Sequence, residues 1–392
     1  MDLRKIALTS LIVVIASCGG TSRGGKSASG PSGAELRNPF ENVRFYINPD
    51  YVQKVESAAA SASPADAALM RKVEAYPTAI WLDSIASTSN VGRHLDGAQQ
   101  QQQKTGQPTL AVFVVYDLPN RDCAAKASGG ELKVKENGEA RYKSEFIDPI
   151  AAQFQSHPNQ PIVVILEPDS LANLATNLGN AVCAASQDAY IFSVAYAIQK
   201  LSLPNVSIYL DAAHAGWLGW DNNRSRIVSV FKRVLTAAGG SSKIRGFATN
   251  VSNYNTLTGR DGKKLEPSDP CPDEVTYVHK LSDTLNRHGI KHKRFIIDTA
   301  RNGKGGLRRR WGSWCNVKGA GLGMRPGLTD ESLVDAYFWI KPPGESDGVS
   351  DPKQPRYDVS CVSGDSAKDA PQAGEWFGSY FLELVRNAEP PL

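Results

Sequence analysis

From residue 38 onward the chain alternates short, dense apolar runs with stretches whose apolar positions recur three or four residues apart. The dense runs are "VRFYI" (43–47), "TLAVFVVY" (109–116), "PIVVIL" (161–166), "VSIYL" (206–210), "IRGFA" (244–248), "RFIID" (294–298) and "AYFWI" (336–340). Runs this short and this rich in β-branched and aromatic residues predict strands, the densest of them covered on both faces. In "SQDAYIFSVAYAIQKL", Tyr190, Val194, Ile198 and Leu201 fall on one face at helical spacing. The Ala-rich segment 52–74 and the C-terminal "AGEWFGSYFLELVRN" also predict helices, and "QQQQQK" (99–104) reads as a solvated helix face. Strand and helix in alternation over one continuous region predict a parallel sheet, open or closed into a barrel.

The polar positions carry a second pattern. Asp117 and Asp122 follow the second run, Glu167 and Asp169 the third, and Asp211 the fourth. Asn250 follows the fifth, Asp298 ends the sixth, and Lys341, Glu345 and Asp347 follow the last. Polar groups collected at the carboxyl ends of parallel strands mark the active face of barrel enzymes. In "ILEPD" (165–169) a buried strand runs directly into two carboxylates around a proline. An unpaired buried carboxylate is costly, so that charge must be held or used.

Composition narrows the class. The chain has 392 residues, 41% hydrophobic and 21% charged, with a formal charge of +4. That balance permits one large core and argues against a nucleic-acid binder, which would concentrate basic charge on one face. At the N-terminus Arg4 and Lys5 precede the apolar stretch 6–16, so residues 1–18 read as an export signal. "IASC" resembles a lipoprotein processing box that would lipidate Cys18, with plain cleavage nearby as the alternative. Residues 19–37 are rich in Gly and Ser and read as a tether, which leaves 38–392 as one folded domain. Export favours disulfides, and five cysteines besides Cys18 leave one unpaired.

The chemical inventory is carboxylates, aromatics and amides. No His or Cys cluster has metal-ligand spacing, and neither a phosphate loop nor a Gly-x-Ser-x-Gly elbow occurs, so no metal or cofactor is expected. His214 is solitary and reads first as a structural histidine bonding backbone. Carboxylates with tryptophans suggest glycoside hydrolysis, which needs one carboxylic acid kept protonated. Asp169, ending a buried strand with Asp122 as a like-charged neighbour, fits that need. "GLRRRWGSW" (306–314), with Arg308–Arg310, reads as a charged loop or a substrate contact.

Five stretches carry a family resemblance: "VVYDLPNRDCAAKAS" (114–128), "LEPDSLANLATNLG" (166–179), "YLDAAHAGWLGW" (209–220), "ATNVSNYN" (248–255) and "WIKPPGESDGVSD" (339–351). In order and content they resemble glycoside hydrolase family 6, from about Trp81 to "APQAGEWF" (370–377). The resemblance implies a distorted TIM-like α/β barrel of about seven parallel strands and metal-free, inverting hydrolysis of cellulose β-1,4 bonds. It makes Asp169 the general acid and Asp122 the aspartate that raises the acid's pKa. Tyr116 would sit against the distorted sugar, Ser128 would help to hold the attacking water, and Asp347 would be the base, acting directly or through a water chain. Inversion sets acid and base roughly 6.5–9.5 Å apart. Trp81, Trp217, Trp314, Lys341 and Glu345 would contact sugar, and Asp211, His214, Trp220 and Asn250 complete the substrate-binding candidates.

The same resemblance pairs Cys123 with Cys183 and Cys315 with Cys361, and leaves Cys271 as the free thiol. Each bridge would tie down a roof loop, 123–143 or 342–370. Both loops are long, and "EPDSLANLATN" is closer to the cellobiohydrolase form, so release of cellobiose from chain ends is expected. The alternatives are an internal-cutting endo-β-1,4-glucanase and a glucan-binding surface lipoprotein without catalysis. Cellulose and cello-oligosaccharides are the expected partners of a monomeric, secreted enzyme, anchored to the cell surface if Cys18 is lipidated. No separate cellulose-binding module is expected.

Overall fold

The computed structural model describes residues 37–259, 268–310 and 312–392. The readings on residues 1–36, Cys18 included, and on Trp311 lie outside these.

Eight parallel strands form one curled sheet: β1 (Arg44–Phe45), β2 (Ile80–Leu82), β3 (Thr109–Val115), β4 (Ile162–Leu166), β5 (Val206–Asp211), β6 (Gly246–Thr249), β7 (Arg294–Asp298) and β8 (Val334–Phe338). β1 pairs with Thr109 and Leu110, β2 with Phe113–Val115, and β4 takes the other edge of β3. Two short strands thus share one edge, and the sheet has seven staves. Among the described residues no ladder joins β8 to that edge. The seam is bridged by Ala79 N–H to the Trp339 carbonyl (3.2 Å) and by the Trp81 indole to the Ile340 carbonyl (2.8 Å).

Every residue of β3 and β4 is buried, as runs covered on both faces require. Leu110, Val112, Val114, Val163 and Ile165 fill the barrel with Tyr209, Ile296 and Phe338. Their neighbours Phe113, Val115, Val164 and Leu166 pack outward against helices, among them the 187–201 helix through Tyr190, Val194, Ile198 and Leu201. β6 and β7 approach so closely that a Cβ at Gly246 would lie on the Arg294 carbonyl oxygen, so only glycine fits there.

Four expectations need correction. The first strand spans two residues instead of five, because only its middle reaches β3. β2 goes unannounced by periodicity, since three residues carry too little pattern. The Ala-rich segment is two helices, Pro49–Ala60 and Pro64–Arg71; Ser63 caps the second and Pro64 starts it. The glutamine run lies on the helix Asn90–Thr105, but Gln101 bonds both backbone groups of Ile47 and Gln102 accepts from Thr109 N–H. Two of its glutamines therefore tie the helix to the sheet edge.

Candidate active site

At the carboxyl ends of the strands lies a cleft of about 730 Å³. The strand-end acids divide into two tiers around it. Asp122, Asp169 and Asp347 line the cleft, whereas Asp117, Glu167, Asp211 and Asp298 are buried behind it.

"ILEPD" shows how one turn serves both tiers. Glu167 and Asp169 both adopt left-handed backbone, with φ +51° and +62°. Such backbone is strained in non-glycine residues and persists only where the surroundings enforce it. Glu167 turns inward and accepts from the N–H groups of Asp117 (3.2 Å) and Leu118 (3.3 Å) and from the Tyr142 hydroxyl (2.8 Å), which fixes the loop after β3. Asp169 turns outward. Its own N–H donates to Asp211 Oδ2 at 3.0 Å, and Ala213 N–H donates to the same oxygen. Asp298 ties three segments together through the N–H groups of Ser252, Ala300 and Lys341.

The Asp169 carboxyl receives no hydrogen bond from any described residue. Burial holds its pKa well above the usual carboxylate range, and the charges of Asp122, Asp211 and Asp347 push it further in the same direction. Asp122 is also raised by burial, but Ser128, Tyr116 and Arg121 pull it back toward the charged form. The Tyr116 hydroxyl donates directly to Asp122 Oδ2. Hydrogen bonds and the Arg121 charge favour the ionised form of Asp122 and are missing at Asp169, so of the pair Asp169 is the one more strongly biased toward its protonated form. Arg121 is the residue that organises this corner. Its guanidinium lies 4.2 Å from the Tyr116 ring centre and donates to the carbonyls of Ser128 and Asp83 (both 2.8 Å).

Asp347 is held differently. Arg301 Nη1 reaches both of its oxygens at 2.8 Å, and the Tyr254 hydroxyl and Asn316 N–H each donate to Oδ2 at 2.8 Å. Sequence reading missed Arg121, Arg301 and Tyr254 as site residues. A buried arginine soon after a strand-end aspartate, as in "DTAR" (298–301), was the available signal.

The remaining candidates separate clearly. Trp81, Tyr116, Ser128, His214, Trp217, Trp220, Trp314, Lys341 and Glu345 line the cleft. Trp81 stands edge-on to Tyr116 (5.3 Å) with the Lys341 ammonium 5.3 Å from its own ring, and Glu345 pairs with Lys54 at 2.9 Å. The Trp217 indole donates to Thr176 Oγ1 (2.8 Å). Asn173, four residues after Asp169 on the helix Ser170–Thr176, also lines the cleft and could have been found by that spacing. Asp211 and Asn250 do not line it. Asp211 holds the Asp169 and Ala213 backbone, and Asn250 bonds the carbonyls of Asn255 and Asp298. Among the described residues the His214 ring bonds no backbone group; its Nδ1 meets the side-chain amide of Asn255 at 2.8 Å.

Both bridges are formed, Cys123–Cys183 and Cys315–Cys361, while Cys271 is buried and free. The two long loops touch one another, and both contribute residues to the cleft lining. Ala127 packs in one buried cluster with Cys315, Cys361 and Trp314, and Lys126 N–H donates to Asp358 Oδ2 at 2.9 Å.

The sequence model of the glycosyl hydrolases family 6 matches residues 40–388. A protein of Aspergillus fumigatus named as a probable 1,4-beta-D-glucan cellobiohydrolase C is 44% identical over 359 residues, 90% of this chain and 78% of that one. Exoglucanase 3 of Agaricus bisporus is 43% identical over 357 residues, 91% of this chain and 80% of its own. Among solved structures, cellobiohydrolase II (Cel6A) of Humicola insolens, in complex with glucose and cellotetraose, superposes with a TM-score of 0.87 at 38% identity, over 91% of this chain and 100% of that chain. With its barrel, its aspartate pair and these relatives in agreement, the chain belongs to the glycosyl hydrolases of family 6.

Proposed function

We propose that the protein is an exo-acting cellulase that cuts β-1,4-glucosidic bonds with inversion and releases cellobiose from chain ends. The observation that carries the chemistry is the Asp169 carboxyl, raised in pKa and without donors, beside a donor-rich Asp122. Asp169 gives its proton to the glycosidic oxygen as the bond to the anomeric carbon breaks. A water held near Ser128 attacks from the opposite face and loses a proton. Asp347 was the expected base, but the Arg301 guanidinium engages both of its oxygens, whereas burial raises the pKa of Asp122 and so makes that carboxylate a better proton acceptor. We assign that proton instead to Asp122, reached through Ser128 and water. Trp81, Trp217 and Trp220 would stack against sugar rings, and Lys341, Glu345 and His214 would bond hydroxyls.

Chain-end action is supported by the roof, since a cleft bridged by Ala127, Trp314 and the Cys315–Cys361 disulfide admits a chain by threading. The deciding experiment is the product profile from cellulose with the anomer at first release. The expected result is α-cellobiose with a slow fall in viscosity. Predominantly β product would overturn inversion, and a steep early viscosity loss would make the enzyme an endoglucanase. Export by residues 1–18 belongs to the same proposal. The mass of the mature N-terminus decides between a lipidated Cys18 and plain cleavage.

A further inference from the structure

The arginine run 308–310 splits into an outward and an inward part. The N–H groups of Arg309 (2.8 Å) and Arg310 (3.2 Å) and the Ser313 hydroxyl (2.7 Å) all donate to Asp365 Oδ2. This anchor leaves Arg309 and Arg310 exposed and turns Arg308 into the cleft wall, where it is 7% exposed.

There Arg308 Nη2 donates to Asn255 Oδ1 at 2.6 Å. A guanidinium has donors only, so the amide must present its oxygen to it. The amide nitrogen then faces the other way, toward Glu274 Oε1 (3.0 Å) and His214 Nδ1 (2.8 Å). Glu274 Oε1 also accepts from Ala215 N–H (2.8 Å), which fits the same orientation. An amide NH₂ only donates, so His214 Nδ1 must accept and the ring proton sits on Nε2. Burial, and after it the Arg308 charge, push the His214 pKa down to about 3, so the ring is neutral at any working pH. His214 Nε2 has no hydrogen-bond partner among the described residues, and His214 lines the cleft.

We propose that Arg308, acting through Asn255, is a positioning residue that fixes His214 as a neutral Nε2–H donor to a sugar oxygen in the cleft. The sugar in this statement rests on the proposed glucanase function; the relay itself does not. Glu274 is the second anchor of the same amide. The relay gives the basic loop a role without an acidic substrate: one arginine sets a hydrogen-bond direction, and two face solvent.

The test is a long-range ¹H–¹⁵N correlation of the histidine rings in the substrate-free full chain. The chain has six histidines, and the His214 signals are those lost in His214→Gln. The expected pattern is the Nε2–H tautomer, without titration between pH 5 and pH 8. Arg308→Leu frees the amide to turn, so the signals should become a mixture of tautomers. KM for cellotetraose should rise about three- to tenfold, the scale of one lost hydrogen bond, with kcat nearly unchanged. Arg308→Lys, which keeps a donor and the charge, should restore most of both readouts. If Arg308→Leu does not fold, Asn255→Asp replaces it: two acceptor oxygens should force the proton onto Nδ1. An Nδ1–H tautomer in the unsubstituted protein, or unchanged His214 signals in Arg308→Leu, overturns the relay. The expected tautomer in a protein that releases no sugar from cellulose would retain the relay and overturn the glucanase reading.

Discussion

Both ends of the barrel hold buried aspartates, and the two ends treat them in opposite ways. At the amino end Asp335 receives Arg245 Nε (2.8 Å) and Nη2 (2.7 Å) and the Tyr209 hydroxyl (2.5 Å). Its charge is matched and both oxygens are used, the arrangement that makes a buried carboxylate stable. At the carboxyl end Asp169 has no side-chain donor and faces three other acids. The residue type is the same, so the supply of donors decides the role. A matched carboxylate is scaffold; a stripped one is biased toward its protonated form.

The largest effects should come from breaking each end at its centre. Asp169→Asn removes the transferable proton and leaves the shape. Turnover on cello-oligosaccharides should fall about 10²- to 10⁴-fold, the range for general acid catalysis, while their binding measured by calorimetry persists. Retained turnover would mean that the proton comes from elsewhere. Arg245→Met does the converse, since it strands Asp335 without its cation. Stability should drop by about 3–5 kcal/mol in urea titration, with kcat of the folded fraction preserved. Equal losses of rate and stability in both variants would erase the contrast between the two ends.

The amount of this legible in sequence follows from what each feature needs. Strands β3 and β4 were plain because both their faces are buried, which leaves an uninterrupted apolar run. β2 was not, because three residues against one edge leave no period to detect. Asp122, Asp169 and Asp347 were visible as strand-end acids. Strand ends alone could not say that Asp211 and Asn250 lie behind the cleft, because that depends on the distant backbone groups their side chains bond, those of Asp169 and Ala213 for Asp211 and of Asn255 and Asp298 for Asn250. The Arg308–Asn255–His214 relay joins residues 41 to 53 positions apart and has no local signature at all.

A smaller effect separates the ends by pH. Behind the cleft, burial raises Asp117 to about 8 and Glu167 and Asp211 to about 7. These groups bind protons more tightly when folded than when unfolded. Their contribution is fully present below the unfolded carboxylate value, near 4, and is lost as pH climbs through 7 to 8. Urea midpoints should therefore decline from pH 5 to pH 8.5. Asp117→Asn should flatten part of that slope, and Arg245→Met should leave it parallel to the parent. A flat profile in the parent would show that these acids are ionised in the folded protein.

The smallest expected change lies at the roof. A Cβ at Gly348 would come within 2.7 Å of both the Ala127 Cβ and the Cys361 sulfur, where the two loops join. Gly348→Ala should thus overpack the junction by about 1–3 kcal/mol. The disulfide fixes Cys361 to Cys315, so the softer partner is Ala127 with its loop, and relief of the strain lifts that loop off the cleft. Viscosity of a soluble cellulose derivative should then fall faster per cellobiose released than with the parent. The same loop carries Ser128, so turnover should decline modestly while the Asp169 proton stays in place. A lowered melting temperature with an unchanged viscosity course would mean that the roof absorbs the methyl group without opening, and that chain-end action depends on something other than this contact.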